Sequence, residues 1–247
     1  MICMKRMDSF ISGSRSGRTR KNYPYVGFFY ITYSFLLYEW NRLEEAAVYA
    51  ERALMQKCMQ PYGLILMGAA ISYARICQAK GDTAKAFELL EQVKLKIDSP
   101  DKNIFLRKKL DAEKANLSLT NGSFDNVTAW LETCGIRHTD TVPLSQFTEY
   151  VYLARALTEC GRVNDALPLL EHLYEVVHVE DRLRDIIKVS ILQSMALQRK
   201  GDRVNALIKL EAALRWAEPG EYIRSFLDEG PRMAYLLNQY VQKKANE

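Results

Sequence analysis

The sequence has few of the residues that build metal centres, disulfides or catalytic dyads. Its five cysteines, Cys3, Cys58, Cys77, Cys134 and Cys160, are odd in number, widely spaced and form no CxxC. That usage excludes a disulfide framework and indicates mostly buried thiols in a reducing, cytoplasmic setting. Of only three histidines, His172 and His178 stand six apart on a predicted helix and so on different faces, and His138 lies remote from both. No metal and no cofactor is expected. There is no GxxxxGK[ST] phosphate loop. The acidic pairs Glu44/Glu45 and Asp228/Glu229 are chain neighbours and cannot face each other across a substrate, and nothing supplies an oxyanion donor beside Cys160 and His172. No enzymatic activity is expected.

Long apolar runs are also missing. The most apolar stretch, YVGFFYITYSFLLY at 25–38, falls short of the roughly 20 residues that cross a bilayer, and EWNRLEE follows it in place of a small-residue cleavage site. It reads as a buried helix, with no membrane partner. The net charge of +4 is unevenly placed. Residues 1–24 carry six basic side chains against Asp8 alone, a local +5 that leaves the remainder at −1. This Ser/Gly/Arg-rich segment reads as a disordered basic tail with an appended or misassigned start, ahead of one helical domain over 25–247. At 247 residues, 48% hydrophobic and 26% charged, the chain can bury a core, yet no linker divides it. An elongated array satisfies both facts.

A repeat is present. Turn positions at Asn41, Gly81, Gly122, Gly161 and Gly201 are separated by 40, 41, 39 and 40 residues. Five residues after each stand Ala46, Ala86, Val127, Ala166 and Ala206; nine after, Ala50, Leu90, Leu131, Leu170 and Leu210; ten after, a glutamate every time. Seven before each turn the residue is always small: Ser34, Ala74, Ala115, Ala154 or Ser194. Small side chains are needed where two helix axes cross closely, and the later apolar positions make one stripe of a 3.6-residue helix. Each unit is therefore two antiparallel helices around a turn, with Asp82 and Asp202 placed as N-caps. The spacing predicts first helices over 25–39, 63–79, 103–120, 146–160 and 181–199, and second helices over 42–58, 82–97, 124–133, 162–178 and 202–217. Pro61, Pro100, Pro143 and Pro219 fall between units; Pro168 alone lies inside a predicted helix, where a local kink is expected. One helix pair cannot bury its own apolar face, so stacked neighbours supply the core. After Glu229-Gly230-Pro231 the period breaks into a polar-ended capping helix.

The small residue before the turn glycine, the alanine after it and the large apolar residue beyond reproduce tetratricopeptide (TPR) spacing, at a period longer than the usual 34. LLYEWNRLEEA (36–46), EYVYLARALTECGRVNDALPLLEHL (149–173) and the run at 192–237 that holds EPGEYIRSFLDEGP resemble the sensor domain of MalT-like, ATP-dependent members of the LuxR family of bacterial transcription regulators. The resemblance implies an all-α, right-handed superhelix of about five TPR-like helix pairs plus a C-terminal capping helix. It also implies a non-catalytic effector- or protein-binding domain, without the family's ATP-binding or DNA-binding modules and so without direct nucleic-acid binding.

In a TPR-like stack the first helices line a concave groove. The polar residues placed there are Arg75, Gln78, Lys109, Asn116, Arg155, Thr158, Lys188, Gln198 and Arg199. Five are cationic, against Glu39 and Glu159, which suits a small-molecule carboxylate or phosphate, or a protein partner, because arginine offers a planar bidentate fork. A generic TPR adaptor for acidic or C-terminal peptides is the alternative reading. Phe28, Ile31, Phe35 and Tyr38 make one end of the groove apolar and point to homodimerisation through the N-terminal helices.

Overall fold

The computed structural model describes residues 24–55, 63–97 and 104–246. The basic segment assigned to residues 1–24 lies outside this range except for Pro24. Five helix pairs follow in order: α1 (Pro24–Glu39) with α2 (Leu43–Leu54), α3 (Gly63–Ala79) with α4 (Thr83–Lys96), α5 (Ile104–Thr120) with α6 (Phe124–Thr133), α7 (Phe147–Glu159) with α8 (Val163–Val179), and α9 (Leu183–Lys200) with α10 (Arg203–Ala217). A short turn of helix, α11 (Arg224–Leu227), and the capping helix α12 (Gly230–Ala245) complete the chain. No strand occurs among the described residues, and no helix there is long and apolar enough to cross a membrane. The second helix of the first unit, expected to reach 58, ends at Leu54; residues 56–58 lie outside the described range. Helix α8 continues through Pro168 as one element.

The five turns share one geometry because they share one backbone problem, the orphaned carbonyls at a helix end. Gly81 and Gly201 take φ of +88° and +90°, open to glycine without a Cβ penalty, and Asn41 takes +58°, which asparagine tolerates. The reversal lets the next N–H reach back five residues. Arg42, Asp82, Ser123, Arg162 and Asp202 each donate to the carbonyl of the residue four before the turn, at 2.8–3.0 Å. Asp82 and Asp202 then start the following helix, accepting from the amides of Lys85 and Asn205 at 3.1 and 3.2 Å.

Within each pair the helices meet at the small residues. The position seven before the turn and the position five after it are buried in all five units. In the first and last units the small residue is serine. Its hydroxyl donates to the carbonyl of the opposing alanine, Ser34 to Ala46 at 2.9 Å and Ser194 to Ala206 at 2.8 Å. The recurrent glutamate ten after the turn fastens one unit to the next. Glu51 accepts from Tyr73, Glu91 from Lys114 at 2.6 Å and Glu171 from Gln193 at 2.8 Å, and all three donors stand eight before the following turn. One buried apolar cluster runs through the first three units and another from the third unit to α12, and the two meet on α5.

The crossing predicts a steric test. Ala154→Leu, at a fully buried crossing, is expected to lose about 1–3 kcal/mol in urea unfolding, whereas exposed Ala84→Leu on α4 stays within about 0.5 kcal/mol of the parent.

Candidate functional site

After α10 the chain does not leave the solenoid. Residues 218–230 cross its inner side as a strap and reach the first unit. The Ile223 amide donates to the Glu39 carbonyl at 2.9 Å. The Ser225 amide and hydroxyl both donate to Glu39 Oε2, at 3.2 and 2.9 Å. Tyr38 donates its hydroxyl proton to Asp228 Oδ2 at 2.7 Å, and the Trp40 indole donates to the Gly220 carbonyl at 3.0 Å. From the other wall, Arg155 donates to the Asp228 carbonyl at 3.3 Å and approaches Glu229 at 2.9 Å. Arg184, at the start of α9, lies over the Phe35 ring of α1 with its guanidinium carbon 4.4 Å from the centroid. The first and fifth units thus face each other across the interior, and the strap closes a cavity of about 220 Å³ between them.

Charges inside this cavity are mostly matched within the chain. Arg75 binds both Glu113 oxygens at 2.7 Å, and the Tyr152 hydroxyl donates to Glu113 at 2.5 Å while also contacting Arg75. Burial alone would raise the Glu113 pKa. The Arg75 charge and the hydrogen bonds from Arg75 and Tyr152 outweigh it and hold the carboxyl below the usual range. Burial likewise pushes the Tyr152 phenol well above its ordinary value. Arg155 donates to Asn116 Oδ1 at 2.7 Å. Its contact with Glu229 is close but leaves Glu229 Oε2 without a hydrogen bond, and burial raises that carboxyl's pKa against the pull of Arg155 and Lys188. Glu39 is also raised by burial, with the Ser225 hydrogen bond opposing.

Lys188 differs. Its ammonium sits 4.9 Å from the Tyr152 ring centroid and has neither hydrogen bond nor ion pair among the described residues. Burial, then the neighbouring Arg75 charge, pushes its pKa down to about 8.

Five of the nine residues placed in the groove from sequence line this cavity: Arg75, Gln78, Asn116, Arg155 and Lys188. Thr158, Gln198 and Arg199 line a second depression beneath Arg232 and Tyr235 of α12. There the Thr158 hydroxyl is spent on the Ala154 carbonyl at 2.8 Å. Lys109 lies apart, binding Glu149 and the Ser145 carbonyl at 2.9 Å. Phe35 and Tyr38 reach the cavity wall, Ile31 packs beside Gly68, and Phe28 remains 61% exposed.

Glu39 and Glu159 are not the only acids that face the groove cations. The structure adds Glu113, Glu149 and Glu229, so the inner face is not an open cationic surface. Glu113 stands nine before its turn, a position also buried at Ser72, Tyr152 and Leu192. That column was the available signal. Among the described residues no group of three His, Cys, Asp or Glu is placed to hold a metal.

A stack of five helix pairs with these turns, crossings and capping helix is a TPR-type α-solenoid. Residues 15–243 match the MalT-like TPR region, and the chain belongs to that family. It is 24% identical over 215 residues to the HTH-type transcriptional regulator MalT of Vibrio cholerae serotype O1, covering 84% of this chain and 23% of that protein's length. Two crystal structures of nearly identical TPR-like repeats from a protein described as a kinesin light chain of Podosopora anserina are each 21% identical. They cover 78% and 80% of this chain and 95% and 98% of their own, with TM-scores of 0.46 and 0.45.

The lowered Lys188 pKa carries a sign. Between about 8 and its unfolded value near 10.5 the unfolded chain holds this proton and the folded chain does not, so folding gains stability as pH rises through that window. The stability of the parent relative to Lys188→Met should therefore move in the parent's favour from pH 8 to pH 10, by at most about 1.4 kcal/mol per pH unit. Urea unfolding of both proteins across that range measures it. The facing groups Arg75, Glu113, Tyr152, Arg155 and Glu229 are common to both and cancel to first order.

Proposed function

We propose that this domain is the non-catalytic sensor segment of a bacterial transcription regulator, acting in the cytoplasm, and that its effector binds in the cavity under the strap. The observation that carries the reading is the closure itself. A ligand in that cavity would touch the inner faces of several first helices and the strap at once. Occupancy and closure would then be one equilibrium, which a sensor requires. The family supports the same reading, since the relative of which this chain spans about a quarter is a transcriptional regulator. ATP binding and DNA binding belong elsewhere in such a protein.

The alternative, an adaptor gripping an acidic or C-terminal peptide, needs open cations in the groove. Arg75, Arg155 and Lys109 are each committed to acids of the chain itself. The same pairing makes Arg75→Ala and Arg155→Ala poor probes of binding, because each would strand a buried carboxylate. Loosening the strap is the better perturbation. Asp228→Ala removes the acceptor of Tyr38 and Arg224 without touching the helix crossings.

Thermal unfolding against sugars, phosphorylated metabolites, amino acids and acidic peptides tests the proposal. A small molecule should raise the melting temperature of the parent, by about 2.7 kcal/mol of added stability at a hundredfold excess over Kd, and should bind Asp228→Ala several-fold more weakly. Protection by acidic peptides alone, unaffected by Asp228→Ala, would favour the adaptor.

A further inference from the structure

The polar groups facing the cavity can be followed to their partners one at a time, and the remainder has a definite chemistry. Each acid on the wall faces a partner of the chain, though Glu229 Oε2 makes no hydrogen bond. Glu39 holds Ser225, Asp185 holds Arg182 at 2.5 Å, Asp228 holds Tyr38 and Arg224, and Glu229 meets Arg155. The unspent groups are two cations, Lys188 and Arg184, and two acceptors, Gln78 Oε1 and Glu229 Oε2. Among the described residues Lys188 Nζ has no polar partner, and the exposed Arg184 has a single ion-pair contact, 3.8 Å to Asp185. The two stand one helical turn apart on α9. Each rests against an aromatic ring, Tyr152 beneath Lys188 at 4.9 Å and Phe35 beneath Arg184 at 4.4 Å. An aromatic face offsets part of a cation's desolvation while leaving its N–H donors unsatisfied. Across the cavity Gln78 donates its amide to the Leu117 carbonyl at 3.0 Å and leaves its own Oε1 buried without a partner.

A part-buried ammonium with no acceptor is costly unless something supplies one. No described residue supplies one: Glu113, Asp185 and Asp228 hold other partners, and Glu229 faces Arg155. The cavity, at about 220 Å³, is smaller than the roughly 300–1,000 Å³ that takes a drug-sized ligand. We infer that the effector is a small organic anion, a carboxylate or phosphate ester, whose charged end pairs with Lys188 and Arg184 and whose hydroxyl or amide end meets Gln78. This rests on the effector-binding reading above and narrows it to one chemical class.

The test is calorimetric titration and thermal unfolding of the full chain with inorganic phosphate, glycerol 3-phosphate and succinate at constant ionic strength. Sodium chloride serves as the screening control, and maltose, trehalose and glycerol as neutral probes. The expected result is saturable binding of at least one of the three anions, with a rise in melting temperature of roughly 5–10 °C at hundredfold excess over Kd. Lys188→Met should weaken that binding tenfold or more, and Lys188→Arg should restore most of it. Should Lys188→Met fail to fold, judged by circular dichroism, Arg184→Gln decides the matter with an expected loss of several-fold. An anion effect that sodium chloride reproduces, or that Lys188→Met and Arg184→Gln leave unchanged, overturns the inference. If neutral probes bind and anions do not, the anion class is wrong while effector sensing stands. If none of the probes binds, this inference falls, and effector sensing falls with it only if the broader metabolite panel is also silent.

Discussion

Two helices can approach closely only where neither carries bulk, and in this chain that condition recurs every forty residues or so. The small residue seven before each turn and its partner five after it are buried in every unit. Everything larger depends on that contact. It fixes how the two helices of a pair cross, the repeated crossing fixes how one pair sits on the next, and the accumulated rotation brings the fifth unit round to face the first. Only then can Arg184 lie over Phe35 and residues near 223 reach Glu39. A bulky side chain at one crossing would therefore be felt at the closure, far from the substitution.

Polar contacts play a second role. The solenoid interior contains Glu113, Arg155 and Asp185, groups whose burial is costly unless each finds a partner. The repeat provides partners at regular offsets. Residues six and nine before the turn meet their counterparts on neighbouring first helices, so that Arg75 finds Glu113 and Arg155 finds Asn116. The glutamate ten after the turn finds the next unit. Removing one partner of such a pair would leave the other buried and uncompensated. These pairs also leave Lys188 conspicuous, as a cavity cation with no acid partner among the described residues.

How much of this was legible in the sequence follows from the range of each interaction. Turns, caps and helix limits are local backbone matters. Apart from the second helix of the first unit, which ends at Leu54 where 58 is expected, the predicted elements accordingly agree with the observed ones to within a residue or two, including the brief α6 of the third unit, which ends at Thr133 as expected. The capping helix could be read from the break at Gly230-Pro231. The strap could not. Its contacts join residues about 180–190 apart, Trp40 with Gly220 and Glu39 with Ser225, and no periodicity encodes such a pairing. For the same reason EPGEYIRSFLDEGP shows its family resemblance in the sequence without revealing its role: Ser225, Asp228 and Glu229 make the closing contacts. Five of the nine expected groove residues line one cavity, but the charge balance was not legible, because Glu229 lies on the strap, whose inward orientation only the folded solenoid defines.

The claim on which the account turns is that the solenoid is closed by its own strap. Hydrogen exchange at the Ile223 and Ser225 amides tests this most directly, since both donate to Glu39 of the first unit. In the free protein these two amides should exchange far more slowly than exposed amides such as those of the α12 terminus, with protection approaching that of the buried helices. Exchange at the rate of an unstructured peptide would mean an open groove with no enclosed cavity, and would contradict the account.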